Sequence, residues 1–330
     1  MNGKVIAVQA NFYKVAVEGI AQTLLCTRRA ILKKMGQTVW VGDCVQVEKI
    51  YGDRAVITGV QPRLNYLPRP AIANLQGILV VAALAEPEPD PWQISRFLVH
   101  GETCGVPVWV GLSKADLVSP EVIQQWQDRL HSWGYTAIPF STFTKTGIEA
   151  LVCSLPKGIT LLTGLSGVGK SSLINTLNPN LHIPTGAVAE HSKTGRHTTR
   201  HVALFPIASD RYLADSPGFL QPDLHLHPQQ LAQYFPEIRQ ILSQQQCLFP
   251  DCLHEQEPDC VVRGNWERYE HYLTWLAELR QSPAPPAPVL QVKTKPPKGN
   301  KQRQEVLLGR RQLTRRTANV LLDRQLAEEL

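Results

Sequence analysis

The 330-residue sequence has no apolar run approaching the roughly 20 residues that a bilayer-spanning helix needs. Its opening, Met1-Asn2-Gly3-Lys4-Val5, lacks the long apolar stretch of a secretory signal. A soluble, cytoplasmic protein with no membrane partner is expected, and a monomer. An even cysteine set is missing too. There are seven cysteines, and in a reducing cytosol these argue against a disulfide framework. Cys26, Cys44, Cys104 and Cys153 are scattered through apolar contexts, as buried free thiols are. There is no internal repeat.

Hydrophobic residues make up 43% of the chain, enough for a sizeable core. The length suggests two or three domains, at roughly 100–200 residues each. The formal charge of +6 is unevenly spread. Residues 1–70 carry ten Lys/Arg against four Asp/Glu, residues 71–290 carry 14 against 20, and residues 291–330 carry ten against four. Two basic ends flanking an acidic middle attract phosphate backbones; the alternative is solvated surface.

Residues 1–68 alternate in short runs: 5–8, 12–17, 22–26, 44–47 and 54–57, punctuated by Gly19, Gly42-Asp43 and Gly52-Asp53. Five short strands predict a small barrel. An OB-fold is the leading candidate, and a sandwich fragment or SH3-like barrel fits the same pattern. From about residue 75 the rhythm changes. The apolar runs 77–84, 106–112, 136–140 and 159–163 read as strands covered on both faces. Helical patterns lie between them, one opening at Ser119-Pro120 and one at Thr146-Gly147-Ile148-Glu149, which has capping-box spacing. The alternation implies a mostly parallel α/β sheet. Residues 237–280 read as helical around a Cys/His loop, with Tyr234, Trp266 and Tyr272 as core. A Pro-rich linker begins at Ser282, and residues 302–330 resemble a basic helix with Val306 and Leu307 among its apolar positions.

Gly164-Leu165-Ser166-Gly167-Val168-Gly169-Lys170-Ser171 matches G-x-x-x-x-G-K-S between a strand and a helix that begins at Ser172. Backbone N–H groups of such a loop wrap phosphates, Lys170 reaches the β- and γ-phosphates, and Ser171 ligates Mg²⁺. Asp215-Ser216-Pro217-Gly218 follows the strand at 211–214. Asp215 can hold the Mg²⁺ shell and Gly218 can offer its N–H to γ-phosphate. Ser113-Lys114-Ala115-Asp116 resembles the guanine-reading N-K-x-D, with Ser113 where the pattern has Asn. A carboxylate accepts from the guanine N1–H and N2–H₂ together, and adenine offers no such pair, so GTP is favoured over ATP. Ser141-Thr142 resembles the loop that lies over the base. Gly195-Arg196-His197-Thr198-Thr199-Arg200 sits where a first switch loop belongs, and either Thr198 or Thr199 completes the Mg²⁺ shell. Cys247-x₄-Cys252-x-His254-x₅-Cys260 supplies three thiolates and an imidazole, a closed set suited to one structural Zn²⁺.

The order of these motifs is rearranged: Lys114–Asp116 and Ser141-Thr142 precede Gly164–Ser171 and Asp215–Gly218. A circularly permuted α/β P-loop GTPase domain with an N-terminal OB-like β-barrel and a C-terminal helical zinc-binding domain resembles the RsgA (YjeQ) family. The resemblance covers roughly residues 1–280. It implies a GTPase that binds the small (30S) ribosomal subunit and its rRNA, is stimulated by it, and assists its late maturation. The expected divisions are 1–68 for an RNA-binding barrel, 69–236 for the GTPase domain, 237–281 for the zinc domain, and 282–330 for linker and basic extension. Phe219 and Leu220 stand where a water-orienting Gln is usual, and the family pattern assigns the catalytic role to His197. The alternative for His197 is an rRNA phosphate contact. Two other functional classes are a P-loop ATPase or kinase, and a nucleotide-gated RNA-binding protein with negligible turnover.

Overall fold

The structure is a computed structural model. It describes residues 1–20, 22–68, 70–179, 202–215, 224, 226–264 and 266–281, with the pairs 289–290 and 306–307. Absences below refer to these residues.

Five strands build the N-terminal barrel: β1 (Asn2–Gln9), β2 (Phe12–Val17), β3 (Leu24–Arg28), β4 (Cys44–Tyr51) and β5 (Arg54–Val60). The order is β1-β2-β3-β5-β4, and β1 pairs back onto β4 through Gly3–Val45, closing the barrel. Strand β3 runs parallel to β5, with helix α1 (Ala30–Lys34) between β3 and β4. This is the OB arrangement, so the leading sequence expectation is borne out. Alternate residues Val5, Val15, Cys26, Val45 and Ile57 fill the interior, as period-2 patterning requires.

A short hairpin, β6 (Tyr66–Pro68) and β7 (Ala71–Ala73), leads into the α/β sheet. Its strands are β8 (Leu75–Ala83), β9 (Val108–Ser113), β10 (Ala137–Pro139), β11 (Gly158–Thr163), β12 (Ala203–Ala208) and β13 (Arg211–Asp215). They lie in the order β10-β9-β8-β11-β13-β12. All pair in parallel except β12, which is antiparallel to β13. Ile78, Val80 and Ala82 face helices α2 (Pro91–Glu102) and α3 (Pro120–Ser132). Leu79, Val81 and Ala83 face α4 (Ile148–Ser154) and α5 (Lys170–Leu177). Burial on both faces explains why β8 reads as an unbroken apolar run. A pair between Ala7 and Ala203 joins barrel and α/β strands into one eleven-stranded sheet.

The helix expected at Ser119-Pro120 is α3, with Ser119 at the N-cap and Pro120 opening the first turn. The capping box at Thr146–Glu149 does not form. Gly147 occupies the α4 N-cap in the left-handed region, φ +72°, without a side-chain bond. The Thr146 hydroxyl instead meets the Thr144 hydroxyl at 2.9 Å. Cys153 is exposed, contrary to expectation, because α4 turns Leu151 inward instead. The C-terminal helices α6 (Pro236–Gln244) and α7 (Tyr269–Gln281) flank the Cys/His loop. Tyr272 is buried there, and Trp266 and Tyr234 pack against the same core. Val306–Leu307 pairs antiparallel with Val289–Leu290, so these two residues are extended where the sequence suggested helix. A partner strand satisfies their backbone groups, which local pattern cannot register.

Candidate nucleotide site and metal centre

The sheet register places the sequence motifs on one edge. Thr163 of β11 lies beside Val80 of β8, Ser113 ends β9 beside Ala83, Pro139 of β10 lies beside Leu112, and Asp215 ends β13 beside Leu162. These are the carboxyl ends of parallel strands, where open α/β sheets bind ligands. The chain leaves β11 through Gly164, whose φ is +138°. A Cβ there would stand 2.2 Å from the Val81 carbonyl oxygen, so only glycine lets the loop lie this close to β8. Ser166 and Gly167 are exposed, Val168 is buried, and Leu165 and Gly169 are half-buried. Ser171 and Ser172 sit half-buried in the first turn of α5, where free N–H groups and the helix dipole favour anions.

Lys170 is buried, and its Nζ donates to the carbonyl oxygen of Gly164 at 2.8 Å and to that of Leu165. Burial lowers its pKa, and the nearby Asp215 charge opposes this. The reciprocal effect holds at Asp215, whose pKa is raised by burial and lowered by the Lys170 charge. An ammonium and a carboxylate therefore share one partly desolvated edge with a glycine loop and the Ser171 hydroxyl. This set suits a polyphosphate with a hard divalent cation, since oxygen ligands and N–H donors stand on the same few residues.

At the end of β9, Ser113 is buried and its Oγ donates to the Val168 carbonyl oxygen at 2.6 Å. Lys114 takes the left-handed conformation, φ +57°, and its Nζ donates to the Glu86 carbonyl oxygen. Asp116 is exposed in a single 3₁₀ turn, Ala115–Leu117. Ser141 is buried and its Oγ accepts from the backbone N–H groups of Phe143 and Thr144 at 3.1 and 3.0 Å. Thr142 beside it is half-buried. Sequence reasoning missed the Val168 and Glu86 contacts, because a backbone carbonyl leaves no mark in the residue pattern. His197, Thr198, Thr199 and Gly218, with Phe219 and Leu220, lie outside the described residues.

Away from this edge, Cys247, Cys252, His254 and Cys260 converge, with their ligand atoms all within 4.8 Å of one another. The Cys247 and Cys260 sulfurs are 3.9 Å apart and stand 3.6 and 3.4 Å from His254 Nδ1. Tetrahedral metal–sulfur bonds of about 2.3 Å separate two sulfurs by about 3.8 Å, so the four residues fit a tetrahedral metal ion. Burial and neighbouring thiols push Cys252 up to about 12, a repulsive grouping that a dication reverses. The loop is braced from outside. Glu257 accepts from the N–H groups of Leu253, Glu255 and Gln256 at 2.8, 2.9 and 3.1 Å. Tyr269 and Tyr272 donate to the carbonyls of His254 and Leu253.

A phosphate-loop strand that is central in the sheet, yet fourth of its six strands along the chain, defines a P-loop GTPase with circularly permuted strand order. Residues 60–225 match the RsgA GTPase family model, and the chain belongs to the RsgA GTPase family. A small ribosomal subunit biogenesis GTPase RsgA from Thermosynechococcus vestitus is 50% identical over 324 residues, 96% of this chain and 93% of that one. Its namesake from Microcystis aeruginosa is 52% identical over 280 residues, 84% of this chain and 78% of that one. The crystal structure of YjeQ from Thermotoga maritima superposes with a TM-score of 0.72 at 29% identity, covering 86% of this chain and 99% of that one. Among the described residues, no helix is long and apolar enough to cross a membrane.

Proposed function

We propose that this chain is a GTP hydrolase of small-subunit biogenesis that binds the 30S particle and its rRNA and is stimulated by it. The observation that carries the reading is the shared strand edge. The phosphate loop, Asp215 and the Asp116 turn stand at the carboxyl ends of the parallel strands β11, β13 and β9, with β8 between β9 and β11. In this reading residues 1–68 form an RNA-binding barrel, 69–236 the GTPase domain, 237–281 the zinc-binding domain and 282–330 a basic extension. The backbone of 164–169 and the Lys170 ammonium hold the phosphates, with Ser172 at their edge. Asp116 accepts from guanine, and Ser113, Lys114, Ser141 and Thr142 shape the base pocket. Ser171, Asp215 and either Thr198 or Thr199 hold magnesium, and Gly218 offers its N–H to γ-phosphate. Magnesium, when bound, neutralises charge developing on the transferred phosphoryl group. Cys247, Cys252, His254 and Cys260 hold one Zn²⁺.

None of these groups orients the attacking water. Phe219 and Leu220 are apolar, and we assign that role to His197, whose imidazole can hydrogen-bond water near neutral pH. Turnover is measured with GTP alone and with added 30S, 50S or 70S particles. Stimulation by 30S is expected, and a rate indifferent to all three would sink the proposal. His197→Ala should keep GTP and 30S binding while losing on the order of 10²-fold of stimulated hydrolysis. Normal hydrolysis with poor 30S binding would make His197 an RNA contact instead.

A further inference from the structure

We propose that Ser113 is a positioning residue that ties the guanine-reading turn to the phosphate loop, leaving the imidazole edge of guanine unread by this side chain. The proposal rests on the guanine-nucleotide reading of the site. Ser113 ends β9 and is only 2% exposed. Its Oγ lies 2.6 Å from the Val168 carbonyl oxygen and 3.3 Å from that of Ala82. A hydroxyl has one hydrogen, and the shorter contact takes it. The oxygen can then only accept, and guanine presents acceptors along that edge, N7 and O6. The asparagine of the N-K-x-D pattern carries two amide hydrogens, so it can tie a carbonyl and still donate to N7. Serine has to give up one of the two tasks, and the geometry shows which it keeps.

What is kept fixes Asp116 against the phosphates. Val168 belongs to the loop that holds them, and Asp116 lies three residues beyond Ser113. The same turn is held by the Ala115 N–H donating to the Phe140 carbonyl at 3.2 Å, and by Lys114 on the Glu86 carbonyl. Removing the Ser113 bond frees the one link of the three that reaches the phosphate loop. Base reading then rests on Asp116, through the N1–H and the 2-amino group.

Affinities of the full-length chain are measured for GTP, inosine triphosphate, which lacks the 2-amino group, and 7-deaza-GTP, which lacks N7. The wild type should bind 7-deaza-GTP within about twofold of GTP. It should bind inosine triphosphate about tenfold or more weakly, the loss of one hydrogen bond to a carboxylate. Ser113→Ala should weaken GTP more than inosine triphosphate, narrowing that preference. Tenfold discrimination against 7-deaza-GTP, with the inosine preference intact, would overturn the proposal alone. A Ser113→Ala variant weakened equally for both nucleotides would make Ser113 a structural residue and also overturn it. Absence of any wild-type preference for GTP over inosine triphosphate would instead overturn the guanine reading beneath it.

Discussion

The barrel and the Cys/His module are both appended to the α/β sheet, but they are attached by different means. The barrel has a core of its own, built from its five strands, α1 and Val39. It meets the rest along a seam of backbone and amide hydrogen bonds, with Val41, Ile6 and Val8 packing against the α/β core. The Ala73 N–H donates to the Val41 carbonyl at 2.8 Å, and Asn74 Nδ2 donates to the Gly42 carbonyl at 3.0 Å. The Cys/His module closes its own core on the α/β domain, since Val99 of α2 is buried in the same cluster as Phe235, Tyr272 and Trp275. Its contacts are ionic and aromatic. Arg268 is fully buried, donates from Nε to Glu237 at 2.7 Å, and lies 4.8 to 5.6 Å from the rings of Phe235, Trp133 and Tyr135. Around it run Arg129–Glu267, Arg239–Glu102 and Arg96–Glu278. The barrel is thus held by strand pairing, hydrogen bonds and a few apolar contacts around a core of its own. The module is held instead by Val99 of α2 in its core and by ion pairs to α2 and α3.

The sharpest way to break this contrast is to remove the metal. Chelation, or Cys252→Ala, should unfold the loop between α6 and α7, because structural zinc sites draw about 10–16 kcal/mol of apparent binding energy. The barrel should be untouched, and 30S binding should fall more than GTP binding. Hydrogen exchange resolves the two regions, and equal loss of protection in both would erase the distinction. Next comes Arg268→Ala, which leaves the largely buried Glu237 without its partner. Breaking a buried pair costs about 3–5 kcal/mol, read as a lowered unfolding midpoint in denaturant. The double variant Arg268→Met with Glu237→Gln should recover much of it, since no unpaired charge is left. The smallest effect is expected at the seam. Gly42 has φ +89°, and a Cβ there would meet the Ala73 carbonyl oxygen at 2.1 Å. Gly42→Ala should cost about 1–3 kcal/mol and open 61–75 to protease while the barrel core keeps its exchange protection. Loss of protection inside the barrel would mean that its core depends on the seam.

Legibility in the sequence followed the range of the interaction. Strands β1, β2, β4 and β5, the runs of β8 and β11, and the helix at Pro120 were readable because side-chain periodicity and proline act within a few residues. The Cys/His set was readable because four scarce ligands crowd into 14 positions. Arg268 was invisible, since nothing local distinguishes a buried arginine from a solvated one. The Ser113 link to Val168 spans 55 residues and ends on a carbonyl, so only the fold reveals it. The Thr146–Glu149 spacing misled because Gly147, the N-cap of α4, has no side chain with which to cap.

Strand order has a mechanical consequence. Besides the β1–β12 pair, the barrel is joined to the α/β sheet by the connection into β8, and the Cys/His module follows β13 in the chain. These are the two strands that lie directly against β11. The chain thus enters and leaves the α/β sheet through the two strands on either side of β11, the strand that leads into the glycine loop. In an unpermuted chain the ends would fall elsewhere, and a displacement at the phosphates would have to cross other strands before reaching either body.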